Sequence, residues 1–276
     1  MSGTLYLVST PIGNLADISL RAIGTLRRVD RIIAEDTRNT RRILARYRIR
    51  TPFAASYYQG VESERIVLFV ELLKEGKDLA LVSDAGTPLI SDPGYPLVRA
   101  ALEQGISVVP IPGATAPIAA LIASGLPTDH FAFDGALPRK QGEREAYLNS
   151  IANETRTIIV HSSPHRLFLD LEAIASVLPE RTIVLARELT KVHEEFLRGS
   201  AHEILDVLQS RGSVKGECIL LISGAKRSCE QGDRKLGEEL AGLLREEGIS
   251  SKSALRILMC ATRIRRNDAY QMLHEA

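Results

Sequence analysis

The chain has 276 residues, a formal net charge of +1, 45% hydrophobic and 25% charged residues, and no Trp. That length suits one large or two medium domains with proper cores, and the composition is that of a soluble globular protein, not a disordered or collagenous one. An aromatic fraction of 5% argues against extensive base stacking, and the near-zero net charge leaves any nucleic-acid role to be decided by where the charges lie.

Thr4–Ser9 reads as a short strand leading directly from Met1–Gly3, without a basic or long apolar leader, and its loop Thr10-Pro11-Ile12-Gly13-Asn14-Leu15 precedes a helix starting near Ser19. Arg31–Ala34 reads as a second strand, ended by Glu35-Asp36-Thr37-Arg38, with Thr37 or Asn39 as the cap of the next helix. Glu62–Glu75 has helical apolar spacing. Leu79–Val82 is a third strand and breaks at once into Ser83-Asp84-Ala85-Gly86-Thr87-Pro88; Ser107–Ile111 is a fourth, closed by Pro112-Gly113-Ala114-Thr115-Ala116-Pro117. Strands alternating with helices predict a parallel sheet, and ligands bind such sheets at the carboxyl ends of the strands, where these small-residue loops lie. A full dinucleotide-binding glycine fingerprint is absent.

Residues 104–128 carry no charge, but four prolines and three glycines break them into a strand, a loop and a buried helix, so they predict no membrane span. A second α/β unit begins near Asp129, after a boundary in 117–128. Asp129–Leu137 opens it, and its strands are expected at Thr157–Val160, Thr182–Ala186 and Cys218–Ile222, with less parallel character than in the first unit. Residues 225–235 read as a charged linker, and Leu236–Glu247, Ser253–Cys260 and Asn267–Leu273 as short helices. Cys218, Cys229 and Cys260 lack metal-ligand spacing, which points to reduced thiols in the cytoplasm. His161 and His165 flank a proline-bearing loop without a third ligand, so no metal is expected, and no Gly-x-Ser-x-Gly elbow supports a serine hydrolase.

Ten arginines against three acids lie between Arg21 and Arg50. Such a run can be a solvated helix face, but guanidinium groups beside a strand-end carboxylate pair also suit an RNA backbone, and Arg38, Arg41 and Arg42 can share one helical face. Tyr57 and Tyr58 follow, as candidates for base stacking or for the core.

The stretches TPIGNLADISLRA, AEDTRNTRR, LVSDAGTPLISDPG, SGLPTD, LPRK, SPHR and ARELTK, in this order, resemble the ribosomal small subunit methyltransferase I family. These are cytidine 2′-O-ribose methyltransferases of the tetrapyrrole-methylase superfamily. The resemblance implies two α/β domains of the tetrapyrrole-methylase type with the cofactor cleft between them, over residues 1–118 and 119–226, plus a small helical appendage over 233–276. It implies S-adenosylmethionine as cofactor, 16S rRNA within the small ribosomal subunit as partner, and a homodimer. The cofactor residues it implies are Pro11, Gly13, Asp84, Ala85, Gly86, Thr87, Ile90, Gly113, Ala114, Thr115, Ala116, His161 and Ala186. RNA contacts are expected at Arg38, Arg41, Arg42, Arg139, Lys140, Arg166 and Arg187.

Departures occur at Thr115 and Ser162, and at Ser56-Tyr57-Tyr58-Gln59-Gly60 in place of a His-rich stretch. For proton handling Asp36 and its neighbour Glu35 stand first, as orienter or weak base, with Glu188 and Lys191 as competitors. A helix cap, or an ion pair holding Arg38, is the structural alternative for Asp36. A tetrapyrrole-like small molecule as substrate, or a non-catalytic role in ribosome assembly, are the other classes left open.

Overall fold

The protein is described here by a computed structural model covering residues 2–58, 62–225, 231–262, 264 and 266–274. The chain opens with β1 (Thr4–Val8) and α1 (Leu20–Arg28), whose N-cap Ser19 accepts from the Ala22 N–H. There follow β2 (Arg31–Ala34), α2 (Thr37–Arg46), β3 (Phe53–Ser56), α3 (Glu62–Lys74), β4 (Leu79–Val82), α4 (Tyr95–Glu103), β5 (Ser107–Ile111) and α5 (Ala116–Ser124). Five parallel strands form one sheet in the order β3-β2-β4-β1-β5. β3 was not foreseen: Phe-Ala-Ala-Ser is a half-buried edge strand with no apolar alternation to reveal it. The cap of α2 is Asp36, not Thr37 or Asn39, because its carboxylate already accepts the Arg38 N–H.

Period-2 alternation divides the core of this sheet. Ile32, Ala34, Ala80 and Val82 pack with Ala22 and Leu26 of α1 and Ile43 and Leu44 of α2. Ile33, Leu79 and Leu81 face the other way, onto Phe69 and Leu73 of α3 and Leu97 and Ala101 of α4. Tyr57 is fully buried there, edge-on to Phe69, so the core claims it, while Tyr58 is half exposed.

The next strands and helices are β6 (Phe131–Ala136), α6 (Gln141–Ser150), β7 (Thr157–Ser162), α7 (Leu167–Val177), β8 (Ile183–Arg187), β9 (Glu195–Gly199), α8 (Ala201–Arg211) and β10 (Cys218–Ile222). They form a mixed sheet, β6-β7-β10-β8-β9, in which β6 and β7 pair in parallel and the other neighbours pair antiparallel. β9 pairs with β8 along its whole length, an edge strand hidden in sequence by Glu195 and Arg198.

One face of this sheet packs on α6, α7 and α8 through Leu148, Leu171, Ile174, Ile204 and Leu208. The other face, with Ile159, Val184, Ala186, Ile219 and Leu221, packs on Ala120 and Leu121 of α5 and on Ile12. That shared core makes Met1–Gly224 one compact unit holding both sheets.

A separate unit, Ala225–Ala276, contains α9 (Gln231–Glu246), α10 (Ser251–Thr262) and α11 (Arg266–His274) around Ala241, Leu258, Ile264 and Leu273. α9 starts five residues before the expected Leu236, within the stretch read as linker. Gln59, Gly60, Cys229, Arg263 and Arg265, with the rest of residues 226–230 of that linker, lie outside the described residues.

Candidate active site

The loops at the carboxyl ends of β1, β4 and β5 are stitched together. Thr10 and Gly86 exchange backbone hydrogen bonds at 2.7 and 3.1 Å. Thr87 Oγ1 lies 3.0 Å from Ser9 Oγ and 2.6 Å from Thr115 Oγ1, and donates to the Ala114 carbonyl at 3.1 Å. Gly86 has φ +82°, in the left-handed region that favours glycine, and a Cβ there would lie 3.3 Å from Ile12 Cγ2. A Cβ at Gly113 would stand 2.8 Å from Ser9 Cβ.

These loops wall a cavity of about 400 Å3, closed on the other side by the second sheet. Of the residues expected at a cofactor, Asp84, Ala85, Gly86, Thr87, Ile90, Thr115, Ala116, His161 and Ala186 line it. Pro11, Gly13, Gly113 and Ala114 do not line it. They sit in the supporting loops. Glu35, Ser91, Asp92, Leu189, Glu217 and Ile219 also line it, and of these only Glu35 was anticipated. Asp92 was legible in principle, in the Ser91-Asp92-Pro93-Gly94 turn that follows the Asp84 loop. Glu217 was not, since only the pairing of distant strands brings it here.

The cavity is acidic. Four carboxylates line it, from Glu35, Asp84, Asp92 and Glu217, with no Lys or Arg among the lining residues. Burial, then Asp92 and Asp84 nearby, push the Glu35 carboxyl above its ordinary range. Burial and Asp84 do the same to Asp92, against a hydrogen bond from Ser83. Burial holds the His161 imidazole below its ordinary value, opposed by Glu217, so it is neutral at pH 7. S-adenosylmethionine fits this wall: its sulfonium and ammonium outweigh its carboxylate, and the adjoining Gly and Ala residues admit close approach to the backbone.

A second cavity, of about 650 Å3, shares Ala136, His161 and Glu217 with the first. Arg139, Arg166, Glu188 and Lys191 line it, so its character is more basic. Lys191 Nζ donates to Glu188 Oε1 at 2.8 Å and to Glu217 Oε2 at 3.1 Å. Burial works against the Lys191 ammonium, but these two carboxylates outweigh it and its pKa is raised; Glu188 is correspondingly lowered, chiefly by Lys191. Backbone strain gathers around the same cavities: of five non-glycine residues with positive φ among the described residues, Leu89, Ser91, Glu188 and Thr190 lie in their wall loops.

Asp36 lines neither cavity. Its carboxylate caps α2 and takes Arg38 Nε and Nη2, which hold it below the ordinary carboxylate range, so the structural alternative describes its contacts. Its own N–H donates to Asp84 Oδ1 at 2.9 Å. Arg38, Arg41 and Arg42 are exposed on α2, with Arg41 over the Phe53 ring. Lys140 pairs with Glu143.

Arg187 is held by Glu195 and the Lys215 carbonyl. Arg166 donates to the Leu137 and Pro138 carbonyls and lies 3.4 Å from Asp170, whose fully buried carboxylate also takes the Ser162 hydroxyl. Buried Arg144 bonds the Pro138 and Arg139 carbonyls, 3.9 Å from the same Asp170. The Asp170 network thus fixes the backbone of the loop that carries Arg139.

Among the described residues no group of three or more His, Cys, Asp and Glu is arranged to hold a metal ion, and no helix is long and apolar enough to cross a membrane. The tetrapyrrole (corrin/porphyrin) methylase family matches residues 4–205. Ribosomal RNA small subunit methyltransferase I of Synechocystis sp. is 45% identical over 273 residues, covering 98% of this chain and 97% of that protein. The Micromonospora olivasterospora protein of the same name is 42% identical over 275 residues, 100% of this chain and 88% of that one. Among solved structures, diphthine synthase superposes with a TM-score of 0.62 at 14% identity, covering 80% of this chain and 90% of that one. The methyltransferase CobJ gives 0.61 at 20%, covering 81% and 95%. These last likenesses concern the fold alone. The chain belongs to the ribosomal RNA small subunit methyltransferase I family, within the tetrapyrrole methylases.

Proposed function

We propose that the protein transfers a methyl group from S-adenosylmethionine to the ribose 2′-hydroxyl of a cytidine in 16S rRNA of the small ribosomal subunit. The observation that carries this reading is the pair of joined cavities, one lined by carboxylates and the other by Arg139, Arg166 and Lys191. The first suits a cation and the second a phosphate-bearing chain. Bound S-adenosylmethionine supplies a methyl group already activated by its positively charged sulfur.

The chain's own residues do the rest. The Thr10–Gly86 bridge and the Ser9–Thr87–Thr115 hydroxyls hold the donor loops in one arrangement. Lys191, kept charged by Glu188 and Glu217, is a fixed cationic donor at the mouth of the second cavity. Asp36 acts as an orienter, aligning Arg38 and donating its N–H to Asp84. The exposed arginines of α2 take flanking phosphates, and alignment of acceptor oxygen and methyl supplies much of the rate.

In this reading residues 1–118 bring the donor loops and the arginine face, 119–226 the second wall, and 233–276 an appendage. The enzyme works in the cytoplasm as a homodimer. Incubating small subunits with protein and labelled cofactor, then mapping ribose methylation in 16S rRNA by mass spectrometry, tests it. One labelled cytidine ribose is expected; label on a base or on no RNA overturns it. Sedimentation of the protein as a monomer at micromolar concentration overturns the dimer.

A further inference from the structure

Glu217 stands where the two cavities meet. With His161 it is one of two titratable residues that line both, and its side chain is 71% exposed. One carboxylate oxygen, Oε2, takes Lys191 Nζ, and the other has no hydrogen bond among the described residues. Glu188, its neighbour across the strands, is differently committed: its Oε1 accepts both Lys191 Nζ and the Glu217 N–H, and its side chain is only 20% exposed.

The backbone beneath Glu217 is fixed. Glu188 N–H donates to the Glu217 carbonyl at 3.0 Å while Glu217 N–H returns to Glu188 Oε1 at 3.0 Å. Gly216, at φ +92°, leaves room for that carboxylate; a Cβ there would fall 2.3 Å from Glu188 Cδ. Lys191 orients one oxygen and leaves the other without a hydrogen bond among the described residues, on a side chain that lines both cavities. No role in this position follows from an ion pair alone, for Glu188 already holds Lys191.

We propose that Glu217 is a further catalytic residue, whose free carboxylate oxygen takes the proton of the acceptor hydroxyl at the junction of the two cavities. The assignment rests on the second cavity being the acceptor side. The hydroxyl oxygen forms a bond to the methyl carbon as the carbon–sulfur bond breaks. The electron pair of that bond stays on sulfur, leaving a neutral thioether, and the hydroxyl proton passes to Glu217 and then to solvent. His161 at the same junction is the competing acceptor, but it is half-buried against the edge of Phe133 and burial weakens it as a base.

The test compares wild type with Glu217→Gln, Glu217→Asp and His161→Gln. It uses single-turnover methylation of small subunits, calorimetric affinity for S-adenosylmethionine, and filter binding of subunits. Glu217→Gln is expected to lower the rate about 100-fold or more, the scale of general-base assistance. Subunit affinity should stay within about twofold, cofactor affinity should fall far less than the rate because Glu35, Asp84 and Asp92 still line the first cavity, and Glu217→Asp should regain at least about tenfold of the rate loss.

A Gln variant within about threefold of wild type overturns the assignment, being far below that scale. So does a rate loss matched by loss of either affinity, an Asp variant no faster than the Gln one, or a larger loss confined to His161→Gln. A wild type that binds the cofactor but methylates no subunit RNA overturns the substrate reading together with this assignment. A wild type that methylates normally beside an equally fast Gln variant overturns the assignment alone.

Discussion

Gly13 lies so close to Lys191 that a Cβ at residue 13 would stand 2.6 Å from Lys191 Cγ, 2.7 Å from Thr190 Oγ1 and 2.9 Å from the Leu189 carbonyl. The loop after β1 is the backing against which the loop after β8 is pressed, and Asn14 N–H completes the contact on Thr190 Oγ1 at 3.0 Å. A residue of the first sheet's loop thus sets the position of a cation in the second cavity.

Gly13→Ala should push that loop away and displace the Lys191 ammonium. Overpacking of this kind costs about 1–3 kcal/mol. A displacement near 1 Å at a catalytic group lowers rate by up to about 100-fold. The expected result is a lowered melting temperature and a slow single-turnover rate with cofactor affinity changed little. A variant as fast as wild type would mean that Lys191 need not be held there.

Asp36→Asn should be mild. Asn caps helices about as well as Asp, and an exposed ion pair such as that with Arg38 adds little because solvent screens it. The methylation rate on small subunits is expected within about threefold of wild type, against the 100-fold or more that a lost general base costs. A loss of that larger size with both ligands bound would return Asp36 to the role of base.

Replacing Arg38, Arg41 and Arg42 together with Ala should weaken subunit binding and leave cofactor affinity unchanged, since none of the three lines the acidic cavity. Each lost phosphate contact flattens the log–log salt dependence by roughly 0.7 to 0.9. Filter binding across a salt series reads this directly. An unchanged slope would make these side chains a solvated face.

Cofactor affinity should rise with pH through the acidic range. Glu35 and Asp92 are both raised in the free protein, Glu35 by burial and by the charges of Asp92 and Asp84, and Asp92 by burial and by the charge of Asp84. Their proton-bound forms therefore persist above the ordinary carboxylate range, and folding is favoured by them at low pH and loses that contribution as pH rises through their folded values. A cationic ligand favours the ionised forms and lowers both pKa values. Affinity is expected to climb as pH rises through the raised values of these two carboxyls and then to level off, with protons released on binding at the acid end only. Calorimetry in buffers of differing ionisation enthalpy measures the release; proton uptake, or none at any pH, would place the cation elsewhere.

Much of this architecture was readable in one dimension. Apolar runs such as Leu79–Val82 and Ile183–Ala186 are β-rich and buried on both faces, and the Gly, Pro and Asp residues that end them mark loops as plainly as they mark strands. The edge strands were not readable, because β3 and β9 are half-buried and gain their structure from a neighbour more than from their own residues. The same reason divides the site. Asp84 and Gly86 belong to a loop with local chemistry, whereas Glu217 is a single acid before a strand and acquires its surroundings from Glu188, 29 positions earlier. The contacts of Asp36 were legible for the opposite reason: its partner Arg38 is so near in sequence that the cap and the ion pair could be named as the alternative to a base from the sequence alone.

β10 is the last strand of the larger unit to leave the ribosome and the middle strand of its sheet, between β7 and β8. Until Cys218–Ile222 emerges, β6-β7 and β8-β9 are separate ribbons with open edges, and the wall bearing Glu217 and Ile219 does not exist. Completion of the second sheet is therefore an insertion and not the addition of a strand at an edge. A chain cut short before residue 218 retains every loop of the first sheet and still has no enclosed site.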